Sequence, residues 1–113
     1  MPIIDGAGGY TRPEDGAPNH FALQLNVPDL TVGTYSIPAD GDDDQTPHSE
    51  DEIYVVTAGR GTLLEGDAAP VPVGPGDVLY VPAGVPHKFV DITEDLALLV
   101  VFGPAYRSRR PPT

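Results

Sequence analysis

Helix-breaking residues along the whole chain limit its fold more than any other feature. The 113 residues include 13 glycines and 14 prolines, and few windows are free of both. Proline removes a helical hydrogen bond and clashes with the preceding turn, while glycine weakens a helix interior. A helical bundle is therefore excluded. Because 40% of the residues are hydrophobic, the chain can still bury a core, which argues against disorder throughout.

Short β-prone runs recur at regular spacing between turn signals. They alternate or cluster apolar residues and are bounded by glycine, proline or aspartate, as is typical of strands. The predicted strands are 21–27, 30–37, 52–58, 61–65, 70–73, 78–81, 87–92 and 96–102. Eight or nine short strands without a helical window predict an all-β barrel or sandwich.

The chain has the size of one domain, and no internal repeat or linker divides it. Residues 1–20 are rich in glycine, proline and charge and are interpreted as an N-terminal arm. Residues 21–106 would form the barrel. Residues 107–113 form a basic, proline-ended tail, interpreted as a solvated terminus.

The charge balance is strongly acidic. Seventeen Asp and Glu residues against six Lys and Arg give a net charge of −11, and three arginines lie in the last seven positions. Such a body repels phosphate backbones and anionic lipids, so we expect no nucleic-acid or membrane partner.

The absence of cysteine excludes disulfides and thiolate metal sites. Neither a signal peptide nor an apolar run of membrane-spanning length is visible, and a cytoplasmic location is expected.

Two histidines and a glutamate have the residue types of a metal site. His48 precedes Glu52 by four residues, and His87 lies on a different predicted strand. Because side chains alternate along a strand, positions 48, 52, 54 and 56 share a face if that strand reaches back to 48, as do 87, 89 and 91. If the two strands are neighbours, the three side chains converge. Two imidazoles and one carboxylate suit Fe(II), or Zn in tetrahedral geometry.

The segment from Gly76 to His87 fits the pattern G-x5-P-x-G-x2-H at every fixed position. It resembles the second motif of the cupin superfamily. His48, Glu52 and Gly59 match the latter part of the first cupin motif, G-x5-H-x-H-x3,4-E-x6-G. The matches cover about residues 46–91. The resemblance implies a double-stranded β-helix, or jelly-roll barrel, with His48, Glu52 and His87 as ligands of one divalent metal ion.

The first motif is incomplete. Thr46 stands where the cupin pattern has its earlier histidine, and Asp40 stands at the leading glycine. A threonine hydroxyl is a weak ligand, so Thr46 is expected to hydrogen-bond a metal-bound water instead. The same ligands suit Fe, Mn, Zn, Ni, Co and Cu, so the sequence leaves the metal open.

Strand parity also predicts which residues line the cavity. Tyr54, Val56 and Phe89 share the ligands' parity and are expected to face inward, with plain core packing as the alternative. Asp91 is expected to point inward and orient a ligand or a water. The remaining acidic residues of the motif region, at 42–44, 50 and 51, are interpreted as solvated surface.

Three functions follow from the resemblance. The first is a metal-dependent enzyme acting on a small organic molecule, with an oxygenase favoured because two imidazoles and one carboxylate leave room for substrate and O2. The second is a non-catalytic module that binds or senses a small molecule. The third is a partner domain that acts through oligomerisation. A homodimer is expected, because a barrel of this size needs cover for its edge strands and the arm carries Ile3, Ile4 and Tyr10.

Overall fold

The computed structural model describes residues 3–106. Every paired strand is antiparallel, and the described residues contain no helix. The predicted all-β class is therefore confirmed. The six strands are β1 (His20–Val27), β2 (Leu30–Ile37), β3 (Asp51–Glu65), β4 (Val71–Val73), β5 (Val78–Val81) and β6 (His87–Gly103).

The strands form one sheet in the order β1-β2-β6-β3-β4, and β5 pairs with β3. Its spine is the long ladder between β3 and β6, which runs from the pair Asp51–Gly103 to the pair Glu65–His87. The register of this ladder shifts three times between Val56 and Thr62. Such irregularities bend and twist a strand pair, so the sheet can fold back over its own inner face.

Two predicted turns lie inside strands rather than between them. The predicted strands 52–58 and 61–65 are both part of β3, and 87–92 and 96–102 are both part of β6. Arg60 pairs with Glu94, so the ladder continues through the bend. Gly59 permits the bend, because its φ is +85° and a Cβ atom there would lie 2.1 Å from the carbonyl oxygen of Asp95.

The core fills the inside of the bent sheet. Ile37, Leu96 and Leu98 have no exposed surface, and Phe89 packs edge-to-face on Tyr54 at a centroid distance of 5.0 Å. Burying side chains of this size contributes about 1.5–3 kcal/mol each. This apolar packing anchors both halves of the ladder and thereby positions the polar side chains at one end of the interior.

The arm, in its described part, contacts its own barrel. The amide of Gly8 donates to Thr34 Oγ1 at 2.8 Å, and the amide of Thr11 donates to Ser36 Oγ at 3.0 Å, both on β2. Ile3 remains 84% exposed. The division into arm, barrel and tail stays a prediction, and the tail 107–113 lies outside the described residues. Across residues 3–106, no helix is long and apolar enough to cross a membrane.

Candidate metal centre

The structure brings the three predicted ligand residues together. One ligand atom from each of His48, Glu52 and His87 lies within 4.8 Å of the other two. His87 Nε2 lies 3.2 Å from Glu52 Oε1, and their side chains are 1% and 2% exposed. The structure thus shows that the three residues converge, while the binding of an ion by them stays a prediction.

Glu52 and His87 lie on neighbouring strands, β3 and β6, as expected, but they are not adjacent along the ladder. Glu52 pairs with Phe102 at one end of the β3–β6 ladder, and His87 pairs with Glu65 at the other end. The two side chains therefore meet across the interior because the ladder bends. His48 is not on a strand, since β3 begins at Asp51. The condition that the strand reaches back to residue 48 is not met, and the carbonyl of His48 instead accepts a hydrogen bond from the Gly84 amide at 2.7 Å.

His87 points one defined nitrogen at the cluster. Its Nδ1 lies 2.9 Å from the carbonyl oxygen of Val85, which can only accept a hydrogen bond, so Nδ1 carries the proton. Nε2 then faces Glu52 Oε1, with Tyr54 Oη at 2.9 Å and Gln45 Oε1 at 3.2 Å. A hydrogen bond from the distal nitrogen to a carbonyl is the usual device that orients a metal-binding imidazole.

Burial lowers the pKa of His87, but other interactions outweigh it. The nearby Glu52 carboxylate, the hydrogen bond to the Val85 carbonyl and the negative charge of Asp43 leave the pKa raised above its ordinary value. The oxygen-rich surroundings of Nε2 thus stabilise positive charge at this point.

The residues present fit a divalent cation. Glu52 Oε1 is buried and has no hydrogen-bond partner among the described residues. Burying a carboxylate oxygen without a donor or cation is costly. The separation of 3.2 Å between His87 Nε2 and Glu52 Oε1 is compatible with ligand bonds of about 2.0–2.3 Å to one ion. Imidazole nitrogen and carboxylate oxygen are suitable donors for such an ion.

Gln45, one residue before the motif position held by Thr46, directs its amide oxygen toward the two imidazoles. Its Oε1 lies 3.3 Å from His48 Nε2 and 3.2 Å from His87 Nε2, and it accepts a hydrogen bond of 2.9 Å from the Tyr54 hydroxyl. Thr46, which motif spacing puts at this position, is exposed and lines only the adjoining cavity. Motif spacing missed Gln45 by one residue, because the segment before β3 is a loop without strand alternation. The sequence did contain one indication of this role, because Gln45 is a polar side chain directly before the position of the missing histidine.

Asp43 is buried, contrary to the expectation of a solvated acidic loop. It is 1% exposed, whereas Asp42 and Asp44 are exposed as predicted. Its carboxylate accepts hydrogen bonds from the Tyr35 hydroxyl (2.8 Å), the Phe89 amide (2.8 Å), and the backbone (3.2 Å) and side-chain (2.7 Å) nitrogens of Gln45. These four bonds compensate for its burial.

Two further acidic residues, Glu50 and Asp91, do not lie where the sequence predicted. Glu50 is 1% exposed, so its expected surface position is wrong; the Ser49 hydroxyl donates to Oε2, and Oε1 has no hydrogen-bond partner in residues 3–106. Asp91 is exposed, so it does not point inward as strand parity predicted. Its φ of +51° interrupts the alternation, and Ile92 is buried in its place.

The other predicted lining residues are all buried, with different surroundings. Tyr54 contacts the cluster, and burial together with the charge of Glu52 raises the pKa of its hydroxyl well above the ordinary value. Val56 and Phe89 belong to the hydrophobic core and do not line the cavity. For these two residues the alternative of core packing is therefore the observed one.

A cavity of about 270 Å³ adjoins the cluster. Its walls combine aromatic rings with polar groups near the ligands, the composition common in small-molecule sites. His48 stacks edge-on against two of these rings, Phe102 at 4.9 Å and Tyr106 at 5.4 Å. The lining residues are Asn19, Phe21, Tyr35, Asp44, Gln45, Thr46, His48, Glu52, Tyr54, Val100, Phe102 and Tyr106.

Comparison with known proteins agrees with this geometry. The family model described as the cupin domain matches residues 33–102. The chain is 46% identical to an uncharacterized protein of Streptomyces coelicolor over 90 residues, which are 80% of this chain and 82% of that protein. It is also 41% identical over 44 residues to the HTH-type transcriptional regulator MtrA of Neisseria gonorrhoeae, covering 38% of this chain and 15% of that protein.

Among solved structures, the DMSP lyase DddQ from Ruegeria pomeroyi superposes with a TM-score of 0.75 at 19% identity, covering 99% of this chain and 57% of that chain. At this identity the likeness concerns the fold alone. An uncharacterized conserved protein with a double-stranded beta-helix domain from Klebsiella pneumoniae superposes with a TM-score of 0.74 at 18% identity, covering 93% of this chain and 90% of that chain. With the family match, this likeness confirms the predicted double-stranded β-helix. The chain belongs to the cupin family.

Proposed function

We propose that this cupin is a metal-dependent enzyme acting on a small organic molecule that binds beside the ion. The observation that carries the proposal is the convergence of the buried Glu52 carboxylate with two imidazoles, whose ligand atoms lie within 4.8 Å of one another. Among the described residues, Glu52 Oε1 makes no hydrogen bond of normal geometry, although buried carboxylate oxygens are usually hydrogen-bonded. A divalent ion satisfies it together with the two Nε2 atoms.

A bound ion in this cluster would supply Lewis-acid chemistry or, if redox-active, a centre for O2. The surrounding side chains define what else the site can do. Tyr54 stays protonated over the physiological pH range, because its pKa is raised, so it acts as a hydrogen-bond donor and not as a base. The aromatic walls of the cavity favour a flat or apolar ligand.

The cavity limits the substrate to a small molecule. Its volume of about 270 Å³ lies just below the range of about 300–1,000 Å³ for drug-sized ligands. No Lys or Arg lines it among the described residues, while Asp44 and Glu52 do. An anionic group on the substrate would therefore have to bind the ion directly.

Within this class we favour an oxygenase. Two imidazoles and one carboxylate are the protein ligands of many Fe(II) oxygenases, and they leave positions free for substrate and O2. The expected metal is one of Fe, Mn, Zn, Ni, Co and Cu, and the ligand types alone do not select among them.

The second candidate is a non-catalytic module that binds or senses a small molecule. It is supported by the partial sequence match to a transcriptional regulator, which covers 38% of this chain. The aromatic-lined cavity suits this function equally, because binding requires only shape and a few polar contacts.

Metal content and turnover separate these functions. The full chain, produced without added metal and analysed for elements, is expected to carry close to one ion, and Glu52→Gln and His87→Ala are expected to carry far less. O2 consumption with a panel of aromatic and enolic substrates then supports an oxygenase. Ligand-induced thermal stabilisation without turnover would favour the binding module. A wild-type protein that binds no divalent ion even after metal addition would overturn the metal-dependent function.

Assembly as a homodimer is also proposed. Large apolar side chains are exposed on the outer strands, with Leu23 of β1 at 56%, Val78 of β5 at 65% and Tyr80 of β5 at 56%. Because β1 is an edge strand, pairing or packing of this surface against a second copy would cover it. Light scattering at micromolar concentration is expected to give the dimer mass, and a monomer mass would contradict this assembly.

A further inference from the structure

The side-chain amide of Gln45 has a defined orientation. Its Nε2 donates a hydrogen bond of 2.7 Å to Asp43 Oδ2. An ionised carboxylate has only acceptor oxygens, so the amide nitrogen must face it. The carbonyl oxygen of the same amide is therefore turned away from Asp43 and toward the two imidazoles.

Asp43 is itself held in place from three sides. The Tyr35 hydroxyl on β2 and the Phe89 amide on β6 each donate to its carboxylate at 2.8 Å, and the backbone amide of Gln45 donates at 3.2 Å. The carboxylate is 1% exposed. A residue fixed by two strands thus fixes the orientation of a loop side chain.

The position of Gln45 Oε1 suits a ligand. It lies 3.3 Å from His48 Nε2 and 3.2 Å from His87 Nε2. Adjacent ligands around one ion, at bond lengths of about 2.0–2.3 Å, are separated by roughly these distances. We propose that Gln45 Oε1 is a fourth protein ligand of the ion and that Asp43 is the positioning residue that presents it. This assignment rests on the proposed function.

The assignment changes the chemistry of the site. The donor set becomes two nitrogens and two oxygens with a single negative charge, from Glu52. A third imidazole would keep the same charge but supply a softer donor. Carbonyl and carboxylate oxygens suit Mn²⁺, whereas imidazole suits Zn²⁺ and Cu²⁺. Gln45 therefore shifts the preference of the site toward the oxygen-seeking metals.

Metal titration of the full chain tests the role of Gln45. Metal-free wild type, Gln45→Ala and Gln45→His are titrated with Mn²⁺ and with Zn²⁺ against a competing chelator, and Gln24→Ala is the matched control away from the cluster. Gln45→Ala is expected to lose about tenfold to hundredfold in Mn²⁺ affinity. Gln45→His is expected to recover Zn²⁺ binding and to raise the ratio of Zn²⁺ to Mn²⁺ affinity. The control is expected to match wild type.

The role of Asp43 has its own matched pair. Asp43→Asn is expected to weaken Mn²⁺ binding, because an asparagine amide can no longer enforce the orientation of Gln45. Asp42→Asn, at an exposed neighbour paired with Lys88 at 3.4 Å, is expected to leave the affinity unchanged. The absorption spectrum of bound Co²⁺ should change in Gln45→His and in Asp43→Asn, because the ligand field differs.

The outcomes distinguish this assignment from the proposed function. If wild type binds an ion, His87→Ala abolishes binding and Gln45→Ala does not weaken it, the metal centre stands and the fourth ligand is rejected. Equal losses for both metals in Gln45→Ala, with no change of selectivity or Co²⁺ spectrum in Gln45→His, also reject it, since Gln45 would then act only through packing. If wild type binds no ion, both fail together. Thermal unfolding of each metal-free variant verifies that it is folded.

Discussion

The loop before β3 and the strand pair β3–β6 contribute to one cluster in different ways. Glu52 and His87 are held by the backbone hydrogen bonds of a long ladder, and both are buried. Gln45 and His48 lie outside regular strands and are only partly buried. Their side of the cluster depends on contacts between side chains, above all those of Asp43. A site can therefore be rigid through its backbone on one side and through a buried polar network on the other.

The difference has a consequence for substitutions. On the strand side, geometry depends on the bend of the ladder, so a backbone change should move the ligands. On the loop side, geometry depends on hydrogen bonds to one carboxylate, so a single side-chain change should release the loop. Four measurements test whether the strand pair and the loop respond separately to substitution or to pH.

Gly59→Ala is expected to have the largest effect, and it breaks the strand side alone. The new Cβ would lie 2.1 Å from the carbonyl oxygen of Asp95, and the φ of +85° disfavours any L side chain. We expect a loss of about 3 kcal/mol or more in the free energy of unfolding. Urea unfolding of the metal-free protein measures it. Gly76→Ala is a useful comparison, because its φ of +93° is similarly strained but nothing lies within 4 Å of its added Cβ. Equal losses in the two variants would show that the close approach at the bend contributes nothing.

Asp43→Ala should break the loop side and leave the ladder intact. It leaves the buried hydroxyl of Tyr35 and the amide of Phe89 without their acceptor. Each lost buried partner costs about 1–3 kcal/mol, so we expect about 2 kcal/mol less stability after partial relaxation. Hydrogen exchange should rise in the loop and at the Phe89 amide, which loses its acceptor, and should remain slow at the other amides of β3 and β6. Increased exchange at those other amides would contradict the separation of the two sides.

The pH dependence of metal binding tests the strand-borne imidazole. In the metal-free protein the pKa of His87 is raised, so protonated His87 stabilises the fold below its unfolded value of about 6.5, and this contribution is lost as the pH rises through the folded pKa. Metal binding needs the neutral ring. Below the folded pKa, affinity should fall by about tenfold per pH unit for one competing proton. NMR titration of the His87 ring should give a pKa above about 6.5 in wild type and a lower one in Glu52→Gln. An unshifted wild-type value would contradict the assigned charge environment.

Thr46→Ala should have the smallest effect, and it sharpens the comparison within the loop. Motif spacing singles out Thr46, but its side chain is exposed and Gln45 takes the inner position. Substitution of an exposed residue changes free energies by about 0.5 kcal/mol or less, so metal affinity should stay within about twofold of wild type. Equilibrium titration with Mn²⁺ measures it. A tenfold loss would assign the missing ligand position to Thr46 after all.

Much of the barrel follows from local sequence. The predicted strands 30–37 and 78–81 have the observed bounds, because proline and glycine signals close to their ends interrupt strand pairing. The breaks predicted at 59–61 and 93–95 are wrong. Glycine and acidic residues mark a turn in isolation, but the two segments face each other and keep the ladder paired through a bend. Local signals report a change of direction without reporting whether pairing continues.

Some residues of the cluster were predictable from the sequence and others were not. His48, Glu52 and His87 were identified from residue type, spacing and family resemblance, all of which are properties of the sequence. Asp43 and Gln45 were not, since a run of three aspartates before a glutamine is usually solvated. Strand parity also failed at Asp91, where a positive φ reverses which neighbour is buried.

The sequence by itself determined the all-β class, most strand positions and the three residues that converge, because these depend on backbone preferences, side-chain alternation and motif spacing. Only the tertiary structure decided which loop side chains complete the cluster. Glu52 and His87 lie at opposite ends of their ladder, and a bend at Gly59 brings them within 3.2 Å. That fold creates a buried space in which Asp43 gains four hydrogen bonds, and their combined strength outweighs the solvation that a carboxylate would otherwise retain.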